Sequence, residues 1–153
     1  MKQSHSLTLH EPSPKLHPYL KEYLGYCLFR AAARVRSKVD KRLAEFGIIA
    51  PQFGMLVILN NAGPMTQVEL GTYMGIDKAT MVRLLDGLED KKYLTRATQA
   101  NDRRAKRLEL TKVGRQVMAK MNQARLKAEA EFLSVLSAKE RELLKTIVSK
   151  LIE

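Results

Sequence analysis

The chain has 153 residues, 45% of them hydrophobic, and a formal charge of +11. That length gives one domain, or one domain with helical extensions, with enough apolar material to bury a core. The charge points to a polyanionic partner, nucleic acid before an anionic membrane, and no apolar run reaches the roughly 20 residues needed to span a bilayer. The single cysteine, Cys27, excludes an internal disulfide and fits a reducing cytoplasm. His5, His10 and His17 lie in the leader without a cysteine pair or acidic cluster beside them, so neither a metal nor another cofactor is expected.

Residues 1–18 are polar and punctuated by Pro12, Pro14 and Pro18, which predicts an extended arm with no apolar signal core. Leu20, Leu24, Cys27, Leu28, Ala31, Val35, Val39 and Leu43 then recur at three- and four-residue steps, the pattern of a helix over 16–46 that ends at Gly47. A second helix starts near Pro51 and stops at the breaker cluster 61–64 (NAGP). Thr66 and Glu69 have capping-box spacing and open a short third helix. Gly75 and Asp77 supply a tight turn and a new cap for a fourth, which runs to about Lys91. Two β-like stretches, 93–97 and 106–110, flank a polar loop and predict a hairpin. Thr111 caps a long helix from 112 to about 136, and Ser137 with Glu140 opens a last one to 152.

The segment 68–88 has the form of a helix-turn-helix. Leu70, Met74 and Ile76 pack inward, Gly71 allows the helices to approach, and Gly75 takes the positive φ of the turn. Met81, Leu84, Leu85 and Leu88 fall on one face of the fourth helix. Ala79, Val82, Arg83 and Asp86 fall on the other, with Lys78 and Thr80 at its leading end, a small, polar and basic surface suited to a major groove about 12 Å wide. Arg83 has the fork that reads guanine, and Val82 can meet a thymine methyl. Thr66 and Gln67, at the start of the preceding helix, complete the DNA-facing set. A solvated amphipathic helix would share much of this pattern. The hairpin that follows is what favours DNA, because 101–107 (NDRRAKR) holds four cations in seven residues. A tip arginine can enter a narrow A·T-rich minor groove, and Asp102 can brace a neighbouring arginine.

The stretch 102–111 (DRRAKRLELT) resembles the D-x-R…L-T wing signature of the MarR family of bacterial regulators, and 81–94 (MVRLLDGLEDKKYL) resembles its recognition helix and first wing strand. Within the family, 102–107 is closest to the SlyA branch. The resemblance implies a mainly α fold with a small β-hairpin wing: a winged helix-turn-helix over 47–111, with a helical dimerisation region over 19–46 and 112–153. It also implies a homodimer, Arg104 as the wing arginine braced by Asp102, and control by a small molecule or an oxidant. Arg103 and Lys106 are then phosphate contacts. Two departures stand out: Lys92 and Tyr93 where the family often has glycine, and Gly87 inside the recognition helix, which costs roughly 1 kcal/mol against alanine.

Cys27 sits among Tyr19, Tyr23 and Tyr26 near the start of its helix. One branch of the family places a peroxide-sensing thiolate there, although a small apolar packing residue is the more ordinary role of such a cysteine. Arg30, Arg34, Lys38 and Lys41 line one face of the first helix; a solvated face is their ordinary role, and Arg30 and Arg34 beside an apolar groove, with Cys27, are the candidates to line a site for a small aromatic acid. There is no phosphate loop, no nucleophile motif and no histidine beyond residue 17, and the paired acids Glu129/Glu131 and Glu140/Glu142 read as surface, which leaves no catalytic set. The expected function is a cytoplasmic, sequence-specific repressor acting on duplex DNA with a pseudo-palindromic operator. A nucleoid-type architectural protein is the alternative.

Overall fold

The computed structural model describes the backbone of residues 17–99 and 102–153, and side chains there except those of 98–106. Among these residues, six α-helices and a three-stranded antiparallel sheet follow one another as α1 (Leu24–Leu43), α2 (Ala50–Ala62), β1 (Met65–Thr66), α3 (Gln67–Met74), α4 (Lys78–Asp90), β2 (Leu94–Gln99), β3 (Asp102–Leu110), α5 (Lys112–Phe132) and α6 (Ala138–Ile152). The sheet order is β1-β3-β2, with Met65 opposite Leu108 and Leu94 opposite Leu110. One core joins Leu43, Met55, Leu56, Leu70, Met81, Leu85, Leu88, Leu94, Leu108 and Met121. It therefore draws on α1 through α5 and the sheet, and α6 contributes no buried residue.

The first helix differs from expectation. Pro18 lacks an N–H and begins its own short 3-10 turn, Pro18–Glu22. Tyr23 is extended, and α1 proper starts at Leu24. The predicted arm therefore stops short of Pro18, and its first 16 residues lie outside those described. At the other end a 3-10 turn, Ala44–Phe46, leads to Gly47 at φ 66°, the left-handed stop that the glycine permits. The strands run longer than their apolar alternation, because ladder hydrogen bonds depend on backbone and can outlast the side-chain pattern. The two-residue strand β1 carries no sequence signal of its own. Asn101, at the predicted loop, lies outside the described residues.

Of the two sequence departures, Gly87 has a structural reason and Lys92 a structural cost. A Cβ on Gly87 would sit 2.8 Å from Gln52 Nε2, and that amide donates to Leu84 O at 3.0 Å while its oxygen accepts from Ile49 N at 3.1 Å. Gln52 is buried, so losing these bonds would leave a polar group without water. Gly87 thus gives up helix propensity to admit a strap between α2 and α4. Lys92 instead occupies a left-handed conformation at φ 60°, which glycine adopts freely. We expect opposite signs from two substitutions. Gly87→Ala should lower the urea midpoint despite alanine's roughly 1 kcal/mol helix advantage, and Lys92→Gly should raise stability by about 0.5–1 kcal/mol. Gly71 does not serve close approach as expected, since a Cβ there would make ordinary contact at 3.6 Å with Ile76 O. Gly75 does serve the turn, at φ 60°.

Candidate nucleic-acid interface

Local capping sets the reading elements. Thr66 Oγ1 accepts from Glu69 N at 3.2 Å, and Glu69 accepts from Thr66 N at 2.7 Å, which fixes the start of α3. Asp77 Oδ1 accepts from Thr80 N at 2.9 Å and fixes the start of α4. That hydrogen bond holds the Asp77 carboxyl below its usual pKa, so the cap is complete at neutral pH and is lost only as acid protonates it.

Met81, Leu85 and Leu88 anchor α4 in the core, with Leu84 half-buried beside them. Lys78, Ala79, Val82, Arg83 and Asp86 stand exposed on the opposite side, and Thr80 is half-buried. Arg83 Nη2 donates to Thr80 Oγ1 at 3.3 Å, so its guanidinium lies along this outward face. Thr66 and Gln67 are half-buried at the start of α3, where a cleft of ≈ 720 Å³ lined by Gln67, Val68, Thr72, Lys78 and Met81 separates it from α4. In the wing, the backbone of Asp102, Arg103, Arg104 and Lys106 runs in β3, with Lys106 opposite Thr98. Their side chains lie outside those described, and so does the expected brace of Arg104 by Asp102. Arg107, the last cation of the run, donates to Pro64 O at 3.5 Å.

A knot at the wing root fixes the sheet to the long helix. Thr111 N donates to Tyr93 O at 3.0 Å, Thr111 Oγ1 donates to Lys92 O at 2.5 Å, and the same oxygen accepts from Gly114 N at 2.9 Å. Tyr93 in turn donates from its hydroxyl to Phe46 O at 3.2 Å. Sequence reasoning also passed over Arg96. From β2 its Nη2 reaches Asp86 Oδ1 at 2.5 Å, and its Nη1 forms a short ion pair with Glu89 Oε2. Burial opposes its charge, but the hydrogen bond to Asp86 and the charges of both acids more than offset that, and its pKa is raised. The spacing of Asp86 and Glu89 was visible as two acids one turn apart; their partner, seven and ten residues on, was not.

The three candidate ligand residues do come together. Cys27, Arg30 and Arg34 line one groove of ≈ 570 Å³ with Lys38, closed on the far side by Leu133, Val135, Leu136 and Leu144. Cys27 is half-buried, and its Sγ donates to Lys21 O at 3.3 Å and Leu20 O at 3.8 Å. Both of these acceptors are backbone carbonyls of the turn that precedes α1. The paired acids have structural partners. Glu129 holds Arg125 at 2.6 Å, Glu131 pairs with Arg42, Glu140 caps α6 and Glu142 pairs with Lys145 at 2.9 Å. No single helix among the described residues is long and apolar enough to cross a membrane.

A helix-turn-helix followed by a β-hairpin that returns to the same core defines a winged helix-turn-helix. The family model described as the MarR family matches residues 48–106. The transcriptional repressor CouR, solved bound to a 23-mer DNA duplex, is 30% identical, with a TM-score of 0.80 over 91% of this chain and 99% of that one. A MarR family protein of Mycobacterium tuberculosis, solved with p-aminosalicylic acid, is 27% identical, with a TM-score of 0.71 over 85% of this chain and 98% of that one. The chain belongs to the MarR family of winged-helix transcriptional regulators.

Proposed function

We propose that this chain is a sequence-specific repressor that binds duplex DNA as a homodimer. The observation that carries the reading is the outward face of α4: Ala79, Val82 and Arg83 are exposed on a helix whose other side is locked into the core by Met81, Leu85 and Leu88. In this reading Arg83 meets base edges, Arg104 enters the minor groove with Asp102 as its brace, and Lys78, Arg103 and Lys106 meet phosphates. Thr66, Gln67 and Thr80 approach the backbone at the leading ends of α3 and α4. The net charge of +11 supplies the electrostatic part of the affinity. CouR, the relative bound to DNA, supports the assignment. The SlyA-like character of 102–107 is a finer placement within the family that rests on those residues alone.

Residues 47–111 form the reading domain in this proposal, and 19–46 with 112–153 form the dimerisation region. Leu24, Leu28 and Phe29 at the start of α1 are exposed, and so are Leu143, Leu144, Ile147, Val148, Leu151 and Ile152 on α6. Two such stripes call for a partner, most simply a second copy. Sedimentation at micromolar concentration should give twice the chain mass, and a persistent monomer would remove this part of the proposal.

The groove beside Arg30 and Arg34 has the size of a small-ligand site, within the range of about 300–1,000 Å³, and sets cations against apolar walls, with one carboxylate, Glu131, also on its lining but already paired with Arg42. A small aromatic acid held there, chemically akin to the p-aminosalicylic acid on the mycobacterial relative, would relieve repression if it favoured a spacing of the two reading domains that mismatches the operator. The deciding experiment for the function is competition between a protein-selected duplex and random-sequence DNA at fixed salt. A repressor should prefer the selected duplex by at least about 10³-fold. Equal affinity would identify an architectural protein.

A further inference from the structure

The outward face of α4 carries an acid where a phosphate-facing helix gains nothing from one. Asp86 lies on the side of Arg83 and Val82, with 52% of its side chain exposed, and Glu89 follows one turn later at 38%. Both are taken by a single cation from another element, Arg96 of β2, which is itself only 21% exposed. Arg96 stands opposite Leu108 in the sheet. Its side chain therefore ties the root of the wing to the recognition helix at the point where the hairpin leaves the core.

We infer that Arg96 is a positioning residue for DNA readout: it fixes the wing's angle to the recognition helix and neutralises two acids beside the groove. The inference rests on the DNA-binding reading above. Three arguments support it. A planar guanidinium can serve two carboxylates at once, one from each of two nitrogens, whereas a lysine is a point charge on a flexible stem. The pairs are partly exposed, so they add little to global stability and their role lies in geometry. The wing also amplifies any movement at its root. Lys106 is two residues from Leu108 toward the hairpin tip, roughly 7 Å at strand spacing, so a rotation of about 10° at Arg96 moves that position by about 1 Å, and positions farther out by more. Base edges and groove walls are read at hydrogen-bond tolerances well below that. The device would thus set the distance between the major-groove contact at Arg83 and the minor-groove contact at Arg104.

Two variants test this. Arg96→Met keeps the length of the side chain and removes the fork; Asp86→Asn with Glu89→Gln keeps the shapes and removes the charges. The measurements are amide hydrogen exchange over 94–97 without DNA, the urea midpoint, and affinity for two probes. One probe is the duplex enriched from a random pool by the parent protein; the other is random-sequence duplex. Arg96→Met should speed exchange over 94–97 and lower the ratio of enriched to random affinity at least tenfold, with a small change in midpoint. The double variant is the sharper case. Removing two negative charges should strengthen binding to random duplex, yet the ratio should still fall, because the clamp is gone. If affinity for both probes rises equally, the acids act only by charge and the inference is overturned. If affinity for the enriched duplex rises and the salt slope steepens by about one, Arg96 is a phosphate contact released from its acids, which also overturns it. A parent that prefers no duplex would defeat the DNA-binding reading instead. The exchange measurement then decides the clamp alone, and unchanged protection in Arg96→Met would count against it.

Discussion

Gly114→Ala should cost the folded state about 3 kcal/mol or more, the upper end of what overpacking removes. A Cβ at this position would lie 2.1 Å from Tyr93 O, 3.0 Å from Tyr93 C and 2.9 Å from Leu110 Cδ2. Two of those three atoms are backbone and cannot rotate away. Tyr93 O is also the acceptor for Thr111 N, so moving it breaks the knot that joins β2, β3 and α5. Helix propensity pulls the other way by about 1 kcal/mol, and alanine also restricts the unfolded chain. Contact at 2.1 Å outweighs both. Urea titration should show a fall in midpoint with little change in slope, and thermal melting should fall by about 6–12 °C. A gain in stability would mean that the wing root is not packed against the start of α5 as described.

Substitutions on the two basic elements should weaken DNA binding with distinct signatures. Arg83→Ala should cost about 1–3 kcal/mol on a preferred site and relax preference at one base pair per half-site, if its exposed fork on α4 meets a base edge as proposed. Arg104→Ala should be most damaging where the flanks have a narrow A·T-rich minor groove, and Asp102→Ala should reproduce part of that loss. Lys106→Ala should weaken all duplexes alike and lower the salt slope by about one per bound chain. Fluorescence anisotropy over a salt series, with circular dichroism to confirm folding, separates the three patterns. Folded variants that bind as the parent does would remove these residues from the interface.

What could be read in the sequence was what short-range physics encodes. The caps at Thr66, Asp77, Thr111 and Ser137 each satisfy an amide within three residues, so their spacing is enough to place a helix start. The inward face of α4 follows from periodicity for the same reason. Gly87 and Gly114 looked like defects or went unnoticed, because each makes room for a group distant in sequence, Gln52 and Tyr93 respectively. Asp40 caps the start of α2 from α1 by accepting from Ala50 N at 2.5 Å, across ten residues and a turn. Arg96 is a charge inside a strand pattern, and nothing local indicates which acids it meets. The candidate groove was partly legible. Arg30 and Arg34 fall on one face of α1 by helical spacing, but its apolar wall comes from the end of α5, the turn after it and α6.

If a two-fold pair of α4 helices reads duplex DNA by sequence, selection of bound sequences from a random pool of duplex DNA should enrich an imperfect palindrome whose half-sites are about 34 Å apart, one helical turn, with A·T-rich sequence where the wings would lie. Recovery of the pool with no sequence enriched, from protein that binds and is folded, would contradict that reading.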